Sequence, residues 1–261
     1  MAVGSAHDVD AWAGAARGIG GSHARLDEAA TRGRSPALRD GLVGLYTDED
    51  WRIEPVAGLA ALRNAAAEAG VTLAAQAVAR VGGTRATLAD GETLAADRLV
   101  VASGPSRSLI DTAPELALLS PIKGHILRAA NLAMGGPVVR FAGGYVCPGE
   151  PGLVIGATME PGVSDDRVDV ALVERLRAAA SDVLPFLAGA RVTAQTGVRA
   201  NTPDGLPLVG PSANPDVWLA VGVRRNGWLL APLVARTLVR GLAGDAPEGR
   251  DGRFAPSRFK A

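Results

Sequence analysis

The sequence predicts an α/β fold in which strand–helix pieces alternate with a mostly antiparallel β-sheet. Apolar residues recur at helical spacing after Pro55, a residue that suits the first position of a helix. A short apolar strand over residues 97–103 runs directly into a Gly-Pro pair. Residues 121–160 are instead rich in strands broken by Gly and Pro, which is typical of an antiparallel sheet. A mixed α/β (α+β) architecture accommodates all three observations.

Each part of this fold is assigned to a range of the chain. Residues 1–50 are expected to form a helical segment, because they are polar and show helical spacing over 23–31. An incomplete α/β layer is expected over 51–115 and 201–261, interleaved with an antiparallel-sheet domain over 116–200. A chain of 261 residues is long enough for one large domain or two small ones.

Composition excludes several classes of protein. The 27 basic side chains are balanced by 27 acidic ones, so the chain has no net positive field for a nucleic acid. Its single cysteine, Cys147, excludes a disulfide framework and a multi-thiolate metal site. No apolar run approaches the ~18 residues of a membrane span, and residues 1–14 lack the pattern of a secretory signal. We therefore expect a soluble, cytoplasmic protein with no nucleic-acid or membrane partner.

Turn signals delimit the elements that follow Pro55. The helix that begins there should end before Gly70, which stands where a C-terminal cap belongs. Val71–Leu73 is expected to form a strand. Residues 77–81 and 84–88 are expected to form a hairpin, because a Gly-Gly turn separates them.

Two further helices are predicted in the second half of the chain. Residues 167–184 form an amphipathic pattern whose apolar face consists of Val168, Leu172, Leu176 and Ala179. A last helix is expected to begin near Asn226. Strands are expected between these helices, over 190–200 and 217–222.

One glycine-rich segment is a false signal. Residues 14–20 (GAARGIG) match the spacing of the dinucleotide-binding turn of short-chain dehydrogenases. Such a turn joins a buried strand to a helix, whereas the residues before Gly14 are too polar for a central strand. The Tyr-x-x-x-Lys pair of those enzymes is also missing, so we reject this hypothesis.

The most informative motifs lie in the last third of the chain. Residues 197–211 read GVRANTPDGLPLVGP, and residues 221–232 read VGVRRNGWLLAP. Shorter pieces precede them in order: DRLVVASG from 97, PIKG from 121, GYVCP from 144 and GATMEPG from 156. Over roughly residues 25–261 the chain resembles the FAD-dependent amine oxidases of the D-amino-acid oxidase superfamily, and within it the glycine oxidases of thiamine biosynthesis.

The resemblance implies a site for the carboxylate of an amino acid. Arg199 matches the family's carboxylate-binding arginine, since a guanidinium can make two parallel charge-assisted bonds to that group; the alternative is a structural salt bridge. Tyr145 matches an active-site tyrosine whose hydroxyl reaches the same carboxylate, the alternative being a half-buried aromatic on an edge strand. Met159 would line the pocket for a small side chain, or else would be a core methionine.

The resemblance also implies that the chain binds FAD. The free N–H groups at the start of the last helix would stabilise negative charge at the N1/C2 edge of the flavin. Val78 matches a position that contacts adenine through its backbone, and Lys123 would lie beside solvent or the flavin. The implied cofactor-binding residues are Val78, Ala102, Ser103, Gly104, Arg225, Asn226, Gly227, Trp228 and Leu229.

The implied reaction is oxidative deamination of a small amino acid or amine. The α-hydrogen leaves as hydride to flavin N5, the imine hydrolyses, and reoxidation by oxygen yields hydrogen peroxide. No catalytic base is needed if the amine binds unprotonated, so the scarcity of histidine is no obstacle. His7, His23 and His125 show no metal-ligand spacing, so no metal is expected, and His125 is expected on a strand surface.

The sequence departs from the family at its beginning. The family's βαβ unit carries GxGxxG and a ribose-binding acid, and nothing before residue 25 is predicted as strand–turn–helix. We therefore expect an N-terminally truncated chain that binds FAD weakly or not at all by itself and has a missing FAD-binding segment as its partner. Ala200, Val223 and Gly143 also differ from the glycine oxidase pattern, so the substrate need not be glycine.

Three functional hypotheses follow from these motifs. The first is an amino-acid oxidase that acts on a small amino acid or amine. The second is a non-catalytic remnant of the substrate domain, or a partner subunit. The third is another flavoenzyme of the superfamily, a D-amino-acid dehydrogenase or a sarcosine oxidase-like protein. Each of these hypotheses is compatible with a chain that forms a homo-oligomer.

Overall fold

The computed structural model describes residues 1–18, 20–246, 249 and 251–259, which form fifteen β-strands and five α-helices. The strands are β1 (Ala2–Gly4), β2 (Ala24–Leu26), β3 (Val43–Tyr46), β4 (Val78–Gly82), β5 (Arg85–Leu88), β6 (Thr93–Ala95), β7 (Leu99–Val101), β8 (Ser120–Ala129), β9 (Val139–Phe141), β10 (Gly144–Pro148), β11 (Leu153–Gly156), β12 (Glu160–Pro161), β13 (Thr193–Asn201), β14 (Leu208–Pro211) and β15 (Val217–Val221). The helices are α1 (Ala6–Gly18), α2 (Glu28–Arg34), α3 (Pro55–Glu68), α4 (Val170–Val183) and α5 (Gly227–Leu242). The predicted α/β class is confirmed.

The chain divides into two compact units, each made of separate stretches of sequence. Unit 1 consists of Met1–Thr72, Gly124–Met159 and Arg167–Gly197. Unit 2 consists of Leu73–Lys123, Glu160–Asp166 and Val198–Ala261. The domain boundaries proposed above from the sequence stay a prediction.

Unit 1 is built on a mostly antiparallel sheet with the strand order β8-β11-β10-β9-β1-β3-β2. Every neighbouring pair in this order is antiparallel except β1 and β9. Helix α4 contacts β10 and β11 and contributes to the same apolar core. The antiparallel character predicted for this part of the chain is therefore present.

Helix α4 buries part of the predicted face: Leu176 is buried and Ala179 packs against the core, whereas Val168 and Leu172 are not buried. Its buried residues are Val173, Leu176, Ala180 and Val183. The helix begins only at Val170, because the Asp169 carboxylate accepts hydrogen bonds from the N–H groups of Ala171 and Leu172. Val168 therefore lies outside the helix and is exposed.

The first fifty residues are not the helical segment that was predicted. Strands β1, β2 and β3 of the unit 1 sheet lie among the helices α1 and α2. In β1, Ala2 is paired with both Leu45 and Arg140. A three-residue strand whose partners are so distant leaves no periodic signal in the sequence.

The segment 23–31 is likewise not a single helix. Strand β2 occupies its first half, and α2 begins after Asp27, whose carboxylate accepts a hydrogen bond from the Ala30 N–H at 2.8 Å. Asp27 is thus an N-cap rather than a helical residue. The helix is real, but it begins five residues later than predicted.

A strand–turn–helix does precede residue 25, contrary to the prediction. It consists of β1, Ser5 and α1. The Asp8 carboxylate accepts hydrogen bonds from the N–H and the hydroxyl of Ser5, so an anionic group already lies at the start of α1. Phosphate would be repelled there. Gly14 lies inside α1, which agrees with rejecting a dinucleotide-binding turn over 14–20.

Unit 2 contains two three-stranded sheets, β14-β15-β7 and β4-β5-β6. Strands β7 and β15 are parallel, and β4 and β5 form the predicted hairpin. Residues 71–77 form no strand, so the strand predicted over Val71–Leu73 is wrong. Val71 and Leu73 are both exposed, and in the described part of the chain no strand pairs with them. The core of this unit consists of Val101, Ala113, Leu116, Leu119, Ala200, Leu208, Val217, Leu219 and Val221.

Helix α3 confirms its predicted ends but exposes its apolar side chains. Pro55 occupies its first turn, and Gly70 follows its end with a φ of +84°. Val56, Leu59 and Leu62 are 72%, 52% and 58% exposed, and no residue of the helix is buried. In unit 2, α5 is similar: none of its residues is buried.

Candidate active site

The turn that follows β7 lines a pocket in unit 2. This pocket has a volume of about 460 Å³ and is lined by Ser103, Pro105, Ser106, Arg107, Leu119, Pro121, Ser164 and Val198. The turn is tight, since Gly104 has a φ of +60° and the Ser103 hydroxyl donates to the Ser106 carbonyl at 3.1 Å. Hydroxyl groups, a guanidinium and apolar side chains together give a lining that suits a polar ligand with an apolar body.

Arg199 lies on β13, directly after the pocket-lining Val198. Its Nη1 atom is buried, and no described residue accepts a hydrogen bond from it. Burying a charged donor without an acceptor is costly, because the group has lost water and gained nothing in return. The structural salt bridge considered above would have given this atom a partner. An anionic ligand would satisfy it.

Tyr145 and Met159 belong to unit 1. Tyr145 lies on β10 opposite Gly156 of β11 and is half-buried. Met159 follows β11 and is 40% exposed, so it is not a core methionine. The structure therefore places these two residues in unit 1 and Arg199 in unit 2, and their action on one substrate stays a prediction.

Gly156 has a role that the sequence analysis did not assign. A Cβ atom at this position would lie 2.3 Å from Cζ and 2.4 Å from the hydroxyl oxygen of Tyr145. Glycine is therefore what allows the tyrosine ring to lie across β11. The signal was present in the motif GATMEPG, but its meaning depends on the pairing of β10 with β11.

The start of α5 leaves backbone donors available. The helix begins at Gly227, and the Asn226 side chain makes no capping hydrogen bond. The first amides of an α-helix have no acceptor within the helix. Arg225, Asn226, Trp228 and Leu229 are exposed around this end, Leu229 by 78%. The geometry fits an acceptor such as a flavin carbonyl.

Val78 begins β4, which is an edge strand of its sheet. An edge strand leaves part of its backbone N–H and C=O groups unpaired by the sheet. Its side chain is 39% exposed. The position of Val78 therefore leaves room for a backbone contact with adenine, and that contact stays a prediction.

Lys123 does not face solvent. Only 3% of the residue is exposed, and its Nζ donates to Asp165 Oδ1 at 2.7 Å within unit 2. A buried ammonium requires such a partner, because its desolvation is otherwise uncompensated. Asp165 follows the pocket-lining Ser164.

His125 is buried in unit 1, contrary to the expected position on a strand surface. The Asp169 N–H donates to its Nε2 at 2.9 Å, so the ring proton lies on Nδ1, which is 3.1 Å from the Thr158 hydroxyl oxygen. The backbone N–H of His125 also donates to that oxygen, at 2.7 Å. Strand alternation failed here because both faces of β8 are covered, as its run of buried residues shows.

The described residues contain no candidate metal cluster and no membrane-spanning helix. No group of three or more His, Cys, Asp or Glu side chains could hold a metal ion there. Likewise, none of the described helices has the length and the apolar character to cross a membrane.

The motifs and the geometry together point to one family, and comparison with known proteins decides it. Residues 2–240 match the family described as DAO, FAD dependent oxidoreductase. The chain belongs to the DAO family. The predictions of an FAD-dependent oxidoreductase and of FAD as the cofactor are thereby confirmed at the level of the family.

Individual DAO-family proteins match parts of the chain. It is 33% identical over 173 residues to a glycine oxidase of Pseudomonas putida, a match that covers 64% of this chain and 47% of that protein. It is 34% identical over 165 residues to the tRNA 5-methylaminomethyl-2-thiouridine biosynthesis bifunctional protein of Caulobacter vibrioides, covering 60% of this chain and 26% of that protein. The chain thus spans about half, or less, of these two relatives.

A solved structure supports the same assignment. The crystal structure of glycine oxidase from Geobacillus kaustophilus superposes with a TM-score of 0.86 at 25% identity, covering all of this chain and 75% of that one. The fold of this DAO-family chain is therefore that of the glycine oxidases over the described residues. One quarter of the neighbour has no counterpart in the chain.

Proposed function

We propose that this chain provides the substrate-binding part of an FAD-dependent oxidoreductase that oxidatively deaminates a small amino acid or amine, as a glycine oxidase does. The observation that carries the proposal is the buried Nη1 of Arg199, which has no acceptor among the described residues. Arg199 directly follows Val198, a residue that lines the pocket of unit 2. A substrate carboxylate is the anionic group that an amino acid would bring to it.

Arg199 would orient the substrate. A guanidinium that binds both carboxylate oxygens fixes the direction in which the amino acid's Cα–H bond points, which a lysine ammonium does not. By the family resemblance, Tyr145 would donate its hydroxyl to a substrate carboxylate, and Met159 would contact a substrate side chain. The position of Tyr145 over Gly156 and the partial exposure of Met159 are compatible with these roles.

The residues of unit 2 fit the flavin end of FAD. Exposed Trp228 and Leu229 offer apolar contacts beside the uncapped start of α5, and its first amides would bind a flavin carbonyl. The turn at Ser103 and Gly104 would approach the cofactor closely, since glycine adds no side chain. When bound, FAD accepts the electrons of the substrate's Cα–H bond.

The phosphates of FAD would be held by a partner of this chain. Helices α1, α2 and α4 each begin beside an aspartate carboxylate, which repels a pyrophosphate. We therefore propose that a glycine-rich nucleotide-binding polypeptide completes the cofactor site. The exposed apolar face of α3 and the exposed apolar residues of α5 support such a partner, because surfaces of this kind mark interaction sites.

A second candidate is a partner subunit without catalytic activity. The same exposed faces favour it, since they need a partner whether or not chemistry occurs. The two proposals differ in one respect: a catalytic chain must bind the carboxylate of an amino acid through Arg199.

Binding measurements on the purified chain test the proposed function. Titration calorimetry with glycine should show that Arg199→Met weakens binding about 10- to 100-fold, because charge-assisted hydrogen bonds are lost. Arg191→Met serves as the control, since Arg191 is an exposed arginine shortly before β13. The proposal fails if the wild-type chain binds no small amino acid, or if both variants bind equally well.

A further inference from the structure

Arg224 has an unusual backbone conformation. Among the described residues it is the one non-glycine residue with a left-handed φ, of +53°. Such a conformation strains any residue with a Cβ atom, and glycine would adopt it freely. Strain of this kind persists where the surroundings hold it, and it is concentrated at functional sites.

The backbone of Arg224 is held beside the substrate arginine. Its N–H donates to the carbonyl of Ala200 at 3.0 Å, within unit 2, and Ala200 directly follows Arg199. The turn between β15 and α5 is thereby attached to β13 at this point. The two arginines therefore extend from neighbouring segments of backbone.

The side chain of Arg224 is also unsatisfied. Its Nε is buried and has no hydrogen-bond partner in the described part of the chain. Only four buried side-chain polar atoms there lack a partner, and two of them belong to Arg199 and Arg224. Two unpaired guanidinium donors on adjacent segments indicate a ligand that carries more than one anionic group.

Two carboxylates of unit 2 are already engaged by other basic side chains. Asp204 is bound by the guanidinium of Arg258, and Asp165 accepts from buried Lys123. A monocarboxylate could satisfy one guanidinium and would leave the charge of the other uncompensated. A second carboxylate on the same ligand would compensate it.

We propose that Arg224 is a specificity-determining residue, and that the site takes amino acids or amines that bear two carboxylates in preference to those that bear one. This inference rests on the proposed role of Arg199 as the carboxylate-binding residue. Arg199 binds the first carboxylate, and Arg224 binds the second.

Titration calorimetry on the full chain tests the proposal, with glycine and iminodiacetate as the two probes. The wild type should bind iminodiacetate at least about 10-fold more tightly than glycine, since one further charge-assisted contact forms. Arg224→Met should remove this preference and leave glycine binding unchanged. Arg98→Met, at an exposed arginine elsewhere in unit 2, should retain it.

A second variant guards against misfolding. Arg224→Gly removes the guanidinium but suits the left-handed backbone, so its fold should be retained and its preference lost. If the wild type binds glycine and iminodiacetate equally well and Arg199→Met binds neither, this inference is overturned and the proposed function stands. A preference that survives in both Arg224 variants would also overturn it. Failure of the wild type to bind either probe would overturn both proposals.

Discussion

At Gly156, the absence of a side chain positions a neighbouring tyrosine. The ring of Tyr145 occupies the space that a Cβ atom would take, at distances no real Cβ contact shows. A Cβ atom at position 156 would meet the outer end of the Tyr145 ring, at Cζ and the hydroxyl oxygen. That end of a side chain can move more easily than the backbone of the strand. A side chain at position 156 should therefore displace Tyr145 rather than break β11.

Gly156→Ala should expose the ring of Tyr145 and lower the free energy of unfolding by about 1–3 kcal/mol, as overpacking does. Denaturant unfolding measures the loss, and the ultraviolet titration of the tyrosines measures the exposure; Tyr46 is the only other tyrosine in the sequence. Gly197→Ala is the matched control, because a Cβ there meets nothing within 4 Å. Equal stability of the two variants would contradict the role given to Gly156.

Asp204, in the motif of residues 197–211, is bound by an arginine from the end of the chain. Arg258 donates from Nε to Oδ2 at 2.8 Å and from Nη2 to Oδ1 at 3.0 Å. These bonds to Arg258, with those from the Leu206 N–H and the Thr202 hydroxyl, lower the pKa of Asp204 from 3.8 to about 2. This pair holds the loop between β13 and β14.

The lowered pKa of Asp204 makes the free energy of unfolding depend on pH in the acidic range. Because its folded pKa lies below its ordinary value, the stabilisation is present above pH 3.8 and is lost as the pH falls toward 2. Arg258→Met should raise the pKa of Asp204 toward its ordinary value and flatten this part of the pH profile. Urea unfolding midpoints at several acidic pH values measure the effect. An unchanged profile in the variant would show that Arg258 does not cause it.

At the scale of elements, His125 connects a strand to a helix within unit 1. From β8 it accepts a hydrogen bond from the N–H of Asp169, the N-cap of α4, and it contacts Thr158 through both ring and backbone. The loop that carries Met159 is thereby attached to the start of α4. Position 125 therefore matters for structure even though no metal or catalytic role was expected there.

His125→Ala should lower the free energy of unfolding by about 2–4 kcal/mol, since it creates a cavity and leaves the Asp169 N–H without its acceptor. His7→Ala is the control, because His7 is exposed on α1. Thermal or denaturant unfolding distinguishes the two. A His125→Ala chain as stable as the His7→Ala chain would contradict this account of the strand–helix connection.

Elements with local signals were predictable from the sequence, and those with distant partners were not. Pro55 and Gly70 mark the ends of α3 by their own backbone preferences, and the β4–β5 hairpin follows from its turn. Strands β1 and β2 escaped prediction because each has three residues and pairs only with distant segments. The strand predicted over Val71–Leu73 is absent for the opposite reason. An apolar pattern is present there, but no strand lies beside it in the described residues.

For the candidate site, motifs identified residues but not their environments. Arg199 could be named from its motif, whereas the unpartnered state of its buried Nη1 depends on packing that the sequence does not reveal. The burial of Lys123 and His125 was missed, because strand alternation assumes that one face of a sheet meets solvent. Gly156 and Arg224 stood inside the quoted motifs, but their roles follow from strand pairing and from a φ value.

For the molecule as a whole, exposed apolar surface is the feature that most requires explanation. The face of α3 formed by Val56, Leu59 and Leu62, with Trp51 90% exposed before it, meets no other part of the described chain closely enough to be buried. Apolar surface of this kind is rarely left uncovered in a working protein. A nucleotide-binding partner that covers it would also supply the phosphate site of FAD.

We propose that this chain carries the substrate end of an FAD-dependent amine-oxidising site. The most direct test assembles it with FAD and the nucleotide-binding region of the Geobacillus kaustophilus glycine oxidase, and follows flavin absorbance without oxygen as a small amino acid is added. The small amino acid should bleach the flavin of the wild-type assembly, and Arg199→Met should require about 10- to 100-fold more of it. An assembly that holds FAD but is bleached by no small amino acid, or one in which both chains respond alike, would contradict it.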